Sequence, residues 1–314
     1  MNIPYFDSTA VRAAAPWITA VQALEHALLN VVNPEDDNPR LFSPAPNGEF
    51  LLMPASNRDY SGVKALTVSP SNPARGLEKI QGVYVLFDSE TSAPLATMDG
   101  NELTAIRTPA TTLLAVKHML AAAPEGAPEK PEVLVFGTGV QALNHLRAVH
   151  AVLPEASLAV VGRRPERAEV LIGHLAAEGL DVRQGTSAGV ADADVVICAT
   201  SSRTPLFDGG KVAPGAVVAA VGQHGMDARE VDAELVLRSD VVVEGRASAL
   251  REAGDLIPAR SAQEWEALRP TNLRELVKGE FGRSAGKPCL YAGVGMAWED
   301  LVIASLVYEG DTRS

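Results

Sequence analysis

VLVFGTGVQA, Val133 to Ala142, decides the fold. Its opening run of Val, Leu and Phe does not alternate with polar residues, which suits a strand buried on both faces. The run stops at Gly137, and Gly137, Gly139 and Ala142 form a G-x-G-x-x-A arrangement leading into VQALNHLRAVHAVL (140–153), where apolar residues recur at helical spacing. The first glycine permits a tight turn, the second lets backbone approach a pyrophosphate, and the small third residue lets the helix pack on the strand. In this strand-turn-helix context the spacing points to dinucleotide binding through Gly137, Thr138, Gly139, Val140 and Gln141. A glycine turn of purely structural use is the alternative.

Further along, LAVVG (158–162), ADVVICAT (193–200), AVVAAVG (216–222) and DVVVEG (240–245) are similar Val/Ile-rich runs, with a weaker one at DVR (181–183). PERAEVLIGHLAAEG (165–179) between them has helical periodicity. Strand-helix alternation implies right-handed crossovers in a parallel sheet. The expected class is therefore α/β, with a Rossmann-type doubly wound parallel sheet. At the end of its second strand an acid would hold the ribose of NAD, whereas arginine accommodates the 2′-phosphate of NADP. The sequence there is VVGRRPERAE: no acid ends the strand, Arg163 and Arg164 stand in its place, and Arg167 lies farther along. NADPH/NADP is expected rather than NAD, the alternative being a solvated cationic turn. Ala199, Thr200 and Ser201 end the fourth strand at the ligand-facing carboxyl edge, and Val221 ends the fifth. His224 follows directly and titrates near neutrality, so it is read either as a proton donor or as a hydrogen-bonded structural residue.

The N-terminal part reads differently. FLLMPA (50–55), VKALTVSP (63–70) and GVYVLFDSE (82–90) look like an antiparallel strand group, and LTAIRTPATTLLAVKHML (103–120) like a long helix. Thr108 followed by Pro109 suits a helix start, because threonine caps free amides and proline in the first turn loses no hydrogen bond. AAAPEGAPEK (121–130) reads as a connection, and MAWEDLVIASLVYEG (296–310) as a helix that packs back on the first domain. The expected division is a smaller, discontinuous α+β substrate and dimerisation domain, 1–118 with 296–314, and a dinucleotide-binding domain, 119–295. Lys64 and Arg107 are single cations inside apolar stretches, where a buried charge is costly without an anion to meet it. A substrate carboxylate would supply one; for Arg107 an internal pair with Asp99 or Glu102 is the other reading. Arg40 sits in a Pro-flanked loop, NPRLFSP.

Composition narrows the function classes. The 314 residues are 46% hydrophobic, enough for a sizeable core, and carry a formal net charge of −12. That balance disfavours nucleic acid and anionic membrane surfaces as partners. Two cysteines, Cys198 and Cys289, cannot build a disulfide framework, and the histidines at 26, 118, 145, 150 and 174 lie on helical patterns without metal-ligand company. No metal is expected. Apolar runs fall short of a membrane span and the N-terminus lacks a signal-peptide pattern, so a cytoplasmic protein is expected.

Several blocks together carry a family resemblance: VKALTVSPSNPARGL (63–77), YVLFDSETSAPLATMDGNELTAIRTPA (84–110), FGTGVQA (136–142), ADVVICATSS (193–202), VGQHGMDAREVD (221–232) and GVGMAWED (293–300). Over most of its length the chain resembles the ornithine cyclodeaminase and mu-crystallin family. The resemblance implies a homodimer built through the N-terminal domain. It places the substrate-carboxylate residues on Arg40, Lys64 and Arg107, a phosphate contact on Arg107 and Thr108, and Gly293 and Val294 beside the nicotinamide and substrate. Cyclodeaminases carry an aspartate where this chain has His224. The expected activity is therefore NADPH-dependent reduction of a small carboxylate-bearing imine, of Δ1-pyrroline-2-carboxylate or Δ1-piperideine-2-carboxylate type, with Lys64 or His224 serving nitrogen with a proton. Ornithine cyclodeamination, amino-acid dehydrogenation and non-catalytic binding of NADPH and a small ligand are the alternatives.

Overall fold

A computed structural model describes residues 3–124, 126–223 and 225–312. The chain divides into two compact units, Met1–Ala110 with Met296–Ser314, and Thr111–Gly295. The first unit holds strands β1 (Tyr5–Phe6), β2 (Leu41–Ala45), β3 (Gly48–Ser56), β4 (Tyr60–Val68), β5 (Ile80–Asp88) and β6 (Pro94–Asp99). The second holds β7 (Glu132–Phe136), β8 (Ser157–Val161), β9 (Val182–Gln184), β10 (Val195–Cys198), β11 (Val217–Ala220), β12 (Asp240–Val243), β13 (Thr271–Asn272) and β14 (Cys289–Ala292).

In the second unit all eight strands pair in parallel, in the order β13-β12-β14-β11-β10-β7-β8-β9. The expected Rossmann-type doubly wound sheet is present. β7 lies between β8 and β10, so the chain leaves it in one direction and returns on its other side, which opens a crevice at the carboxyl ends of these strands. The unalternated apolar runs are buried throughout, including Val133 to Phe136 and Val195 to Cys198. The sequence reading passed over two strands. β13 has two residues, and β14, CLYA, has four but is inserted between β11 and β12.

In the first unit the sheet order is β1-β6-β5-β4-β3-β2, antiparallel from β2 to β6. Alternation gives it one fully buried face, with Leu51, Met53, Lys64, Leu66, Tyr84, Leu86, Ala96 and Met98. The helix Ala297–Thr312 packs on that face over β3, β4 and β5, as its apolar pattern foretold. The opposite face carries half-buried Leu52, Val63, Ala65, Val83 and Val85.

The long helix starts earlier than expected, and this corrects the reading of Thr108 and Pro109. It runs from Gly100 to Ala121 with Pro109 inside it. The start is set by Asp99, whose Oδ1 accepts the amides of Asn101 and Glu102, both at 2.9 Å. Asp99 thus does the capping that the sequence suggested for Thr108. Proline forfeits one amide within the helix, but buried Ala105, Ile106, Ala110 and Leu113 hold the surrounding turns in place. The units divide inside this helix, at Ala110/Thr111, rather than after residue 118. From Thr112 onward its polar contacts belong to the second unit: Thr112 Oγ1 meets the His145 ring and the Met119 carbonyl accepts from Arg283. Among the described residues, no helix is long and apolar enough to cross a membrane.

Candidate active site

The second unit contains a groove of about 780 Å³ at the carboxyl ends of β7, β8, β10 and β11. Gly137, Thr138, Gly139, Val140, Gln141, Arg163, Arg164, Ala199, Thr200, Ser201 and Val221 all line it. Eleven expected residues, spread over almost ninety positions, thus meet at one edge. Arg167 lines it as well, against the expectation that it stands farther off; the helix beginning at Pro165 turns its first residues toward the groove. Sequence reading did not single out Ser187, which opens a short 3-10 helix, or the loop residues Thr204, Pro205, Leu206 and Gly222, none of which carries a periodic signal.

The groove fits a dinucleotide. Gly137 has φ +126°, and a Cβ there would lie 2.5 Å from the Ala199 carbonyl oxygen, so the turn demands glycine. Beside Gly139 a Cβ would meet nothing within 4 Å, which leaves its backbone open to approach. Gly139 caps the helix Val140–Val152 without any side-chain hydrogen bond, so that helix start can receive a phosphate. Behind it, the fully buried ring of His145 is braced by the Gln141 carbonyl through Nδ1 (2.8 Å) and by Thr112 Oγ1 through Nε2 (3.1 Å). Burial pushes its pKa down to about 4, so it is a neutral structural histidine.

A carboxylate that the sequence reading did not single out sets the shape of the groove's β10 and β11 end. Glu230 is fully buried and accepts the Thr200 amide, the Thr200 hydroxyl and the Gly222 amide, each at 2.7 Å. It therefore ties the ends of two strands together. Burial raises its pKa to about 7, against the lowering effect of those donors. Asp255 continues the network by accepting the amides of Glu230 (2.8 Å) and Val231 (3.2 Å), while its own amide donates to Gln223 Oε1 at 3.1 Å. Glu230 lies in the block VGQHGMDAREVD, but spacing alone gave it no role. His224, in the same block, lies outside the described residues. Gly293 and Val294 follow β14 and do not line the groove. The Gly293 amide donates to the Ala220 carbonyl at 2.9 Å, and Glu244 accepts the amides of Val294 (3.0 Å) and Gly295 (2.8 Å). Cys198 is buried at the end of β10, and burial pushes its thiol well above the usual range, which leaves it inert as a nucleophile.

In the first unit a charge cluster forms beneath the C-terminal helix. Lys64 on β4 is 1% exposed, and its Nζ donates to Asp300 Oδ1 at 2.8 Å, Asp300 Oδ2 at 2.7 Å and Thr104 Oγ1 at 3.0 Å. Arg107, one turn along the long helix from Thr104, donates from Nη1 to Glu299 Oε2 at 2.9 Å and has Nε 3.7 Å from Asp300 Oδ1. Of the two acids offered as its internal partners, Asp99 caps the helix and Glu102 pairs with Arg12 at 2.5 Å. Asp37 accepts the amides of Ala297 and Trp298, each at 3.3 Å, at the start of the C-terminal helix. The charge of Arg40 acts on both Asp37 and Lys64. The structure therefore joins Lys64 and Arg107 through Asp300, with the charge of Arg40 acting on the same cluster, and it adds three carboxylates that the sequence reading missed.

The electrostatics follow from burial. Desolvation is the largest influence on Lys64 and brings its pKa down to about 8; Asp300 opposes this, and the charges of Arg107 and Arg40 add to it. Asp37 is pushed up to about 6, chiefly by burial. A lysine near 8 stays mostly charged at neutral pH yet releases its proton more readily than a free one. Thr108 lies within the helix and half-buried, one residue after Arg107.

A profile of the ornithine cyclodeaminase/mu-crystallin family matches residues 9–313. The chain belongs to that family. Delta(1)-pyrroline-2-carboxylate reductase 2 of Burkholderia ambifaria is 35% identical over 307 residues, covering 96% of this chain and 93% of that protein. The Delta(1)-pyrroline-2-carboxylate/Delta(1)-piperideine-2-carboxylate reductase of Azospirillum brasilense is 36% identical over 306 residues, covering 95% and 93%. Among solved structures, Thermococcus litoralis Delta(1)-pyrroline-2-carboxylate reductase in complex with NADH and L-proline superposes with a TM-score of 0.85 at 27% identity, covering 99% of this chain and 98% of that one. This family member is accordingly an oxidoreductase.

Proposed function

We propose that the protein reduces a small cyclic imine bearing a carboxylate, of the Δ1-pyrroline-2-carboxylate or Δ1-piperideine-2-carboxylate type, to the corresponding cyclic amino acid with NADPH. The observation that carries the reading is the pair of buried cations Lys64 and Arg107, with the charge of Arg40 acting on Lys64, in a chain that also holds a dinucleotide groove. The relatives named above act on such imines, which supports the same substrate class.

Reduction of C=N adds a hydride to carbon and a proton to nitrogen, and reduced nicotinamide supplies the hydride. The chain's own residues do the rest. Arg107 and Arg40 fix the substrate carboxylate, which is catalysis by orientation. Lys64, its pKa lowered by burial, is suited to deliver the proton to nitrogen, with His224 as the second candidate. Arg107 and Thr108 are assigned a phosphate contact, and Gly293 and Val294 a place near the nicotinamide and substrate, on the family resemblance. NADPH is preferred over NADH because Arg163, Arg164 and Arg167 line the groove at the end of β8, where an acid would favour NAD. The neighbour from Thermococcus litoralis holds NADH, which supports a nicotinamide cofactor; the preference for NADPH rests on the arginines of this chain alone.

We further assign a homodimer formed through the first unit and a cytoplasmic location. The second face of the six-stranded sheet supports the dimer, with half-buried Val63, Val83 and Val85 and exposed Phe50, as does the edge strand β2 with exposed Leu41 and Phe42. Two buried free cysteines accord with a reducing compartment. A panel of cyclic imino acids assayed with NADPH and with NADH tests the activity. Turnover of a carboxylate-bearing imine is the expected result, and oxidation of neither cofactor with any of them would reject it. A monomeric mass by light scattering would reject the dimer.

A further inference from the structure

Lys64 has no donor to spare. An ammonium group carries three N–H bonds, and the contacts to Asp300 Oδ1, Asp300 Oδ2 and Thr104 Oγ1 use all of them. For Lys64 to grip a substrate carboxylate it must release one of these three acceptors; two of them belong to Asp300, and release of one Asp300 oxygen suffices. That oxygen is fully buried, and a buried carboxylate oxygen without a donor is costly.

A donor lies beside it. Tyr84 sits on β5 directly opposite Lys64 on β4, so both side chains rise from the same face of the sheet beneath the C-terminal helix. Its ring is fully buried, and its hydroxyl has no hydrogen-bond partner among the described residues. Such orphaned hydroxyls are rare in folded proteins. The side chain leans along β4 toward Gly62, where any Cβ would collide with the hydroxyl, so glycine at this position is what leaves room for it. The carboxylate of Asp300 is near enough to raise the Tyr84 pKa further above its ordinary value, after burial itself.

We propose that Asp300 occupies Lys64 as a place-holder for the substrate carboxylate, and that Tyr84 is a positioning residue whose hydroxyl takes up the Asp300 oxygen released when substrate binds. The exchange is one hydrogen bond for another: the Lys64 N–H moves from Asp300 to the ligand carboxylate, and the Tyr84 O–H donates to Asp300. No covalent bond changes. The new bond persists from bound substrate to transition state, so it acts on binding and leaves the chemical step alone.

This inference rests on the proposed reduction of a carboxylate-bearing imine. Tyr84→Phe removes only the hydroxyl. Expected are a melting temperature equal to or above that of the wild type, an unchanged kcat, a KM for the imine raised roughly 10–100-fold, the size of a lost hydrogen bond to a charged group, and a matching rise in the Kd for L-proline measured with NADP present. If KM and Kd stay within twofold of the wild type, the hydroxyl is idle and the proposal is wrong. A lower melting temperature with unchanged KM would assign Tyr84 a structural role, and a fall in kcat would make it part of the chemistry; either result overturns the proposal. A wild type that reduces no imine in the panel rejects the function itself, an outcome distinct from every result of the variant.

Discussion

Asp300→Asn tests the charge cluster most directly. The Lys64 ammonium is 1% exposed and Asp300 fully buried, with two contacts at 2.7 and 2.8 Å between them. The substitution keeps the shape and removes the carboxylate that Lys64 touches, while Arg107 retains Glu299 at 2.9 Å. Breaking a buried pair from one side costs about 3–5 kcal/mol, because the remaining charge stays desolvated. At roughly 2–4 °C per kcal/mol for a chain larger than 150 residues, that is a fall of about 6–20 °C in melting temperature at pH 7. The pH dependence has a definite sign. Lys64 has a folded-state pKa near 8, below its ordinary 10.5, so between these values the unfolded chain holds more protons and stability at this group rises with pH. Without Asp300 the folded-state pKa drops further and the window opens at lower pH, so the gap between variant and wild type narrows by up to about 1.4 kcal/mol between pH 7 and pH 9.5, the worth of the one pKa unit between pH 7 and the wild-type value. Urea unfolding at pH 7 and 9.5, followed by circular dichroism, measures both. Lys64→Met with Asp300→Leu should recover stability to within about 1 kcal/mol of the wild type, since an apolar pair of similar volume needs no counter-charge. A single variant losing less than about 1 kcal/mol at pH 7, or losing the same at both pH values, would refute the reasoning.

The remaining tests concern the second unit. Arg163→Ser combined with Arg164→Ser should raise the KM for NADPH about 10–100-fold, the worth of lost charge-assisted contacts, and that for NADH by less than about threefold; equal wild-type affinities for the two cofactors would contradict the preference. Glu230→Gln replaces one acceptor oxygen with an amide donor, so either Thr200 or Gly222 loses its partner, and NADP(H) binding by titration calorimetry should weaken by about tenfold. The same variant has a pH signature. A buried acid raised from 4.5 to about 7 makes the folded state take up a proton, so the wild type loses stability at this group as pH rises through that window, and the variant should show a shallower slope. His224→Ala should slow imine reduction by about 10²-fold with cofactor affinity unchanged; a variant as fast as the wild type would assign His224 a structural role.

The Rossmann half was legible because its signals are local. Strand, glycine turn and helix lie within twenty residues of one another at Val133–Val152, and the parallel crossover rule then fixes where the strand ends must gather. The arginines at 163 and 164 are legible as groove residues because only Gly162 separates them from the end of β8. In the first unit β3, β4 and β5 were legible for a similar reason, period-two alternation against a single covered face, whereas the shorter β1, β2 and β6 were not singled out.

Local sequence is enough to specify the parallel sheet, the glycine-rich turn and the demand that Lys64 and Arg107 meet negative charge. How that demand is met depends on long-range packing. Asp300 lies 236 residues from Lys64, and Glu299 lies 192 from Arg107. No local pattern distinguishes these acids from the nearer Asp99 and Glu102, because charge compensation depends on distance in space and not along the chain. The same holds for β14, four residues whose place between β11 and β12 is set by pairing with strands far away in sequence. It holds also for Pro109, which a helix accommodates once Asp99 caps it upstream and buried side chains grip it on both sides. Local periodicity specifies which residues go inside; which buried charges then meet is settled by the packing of elements that the chain joins only at its two ends.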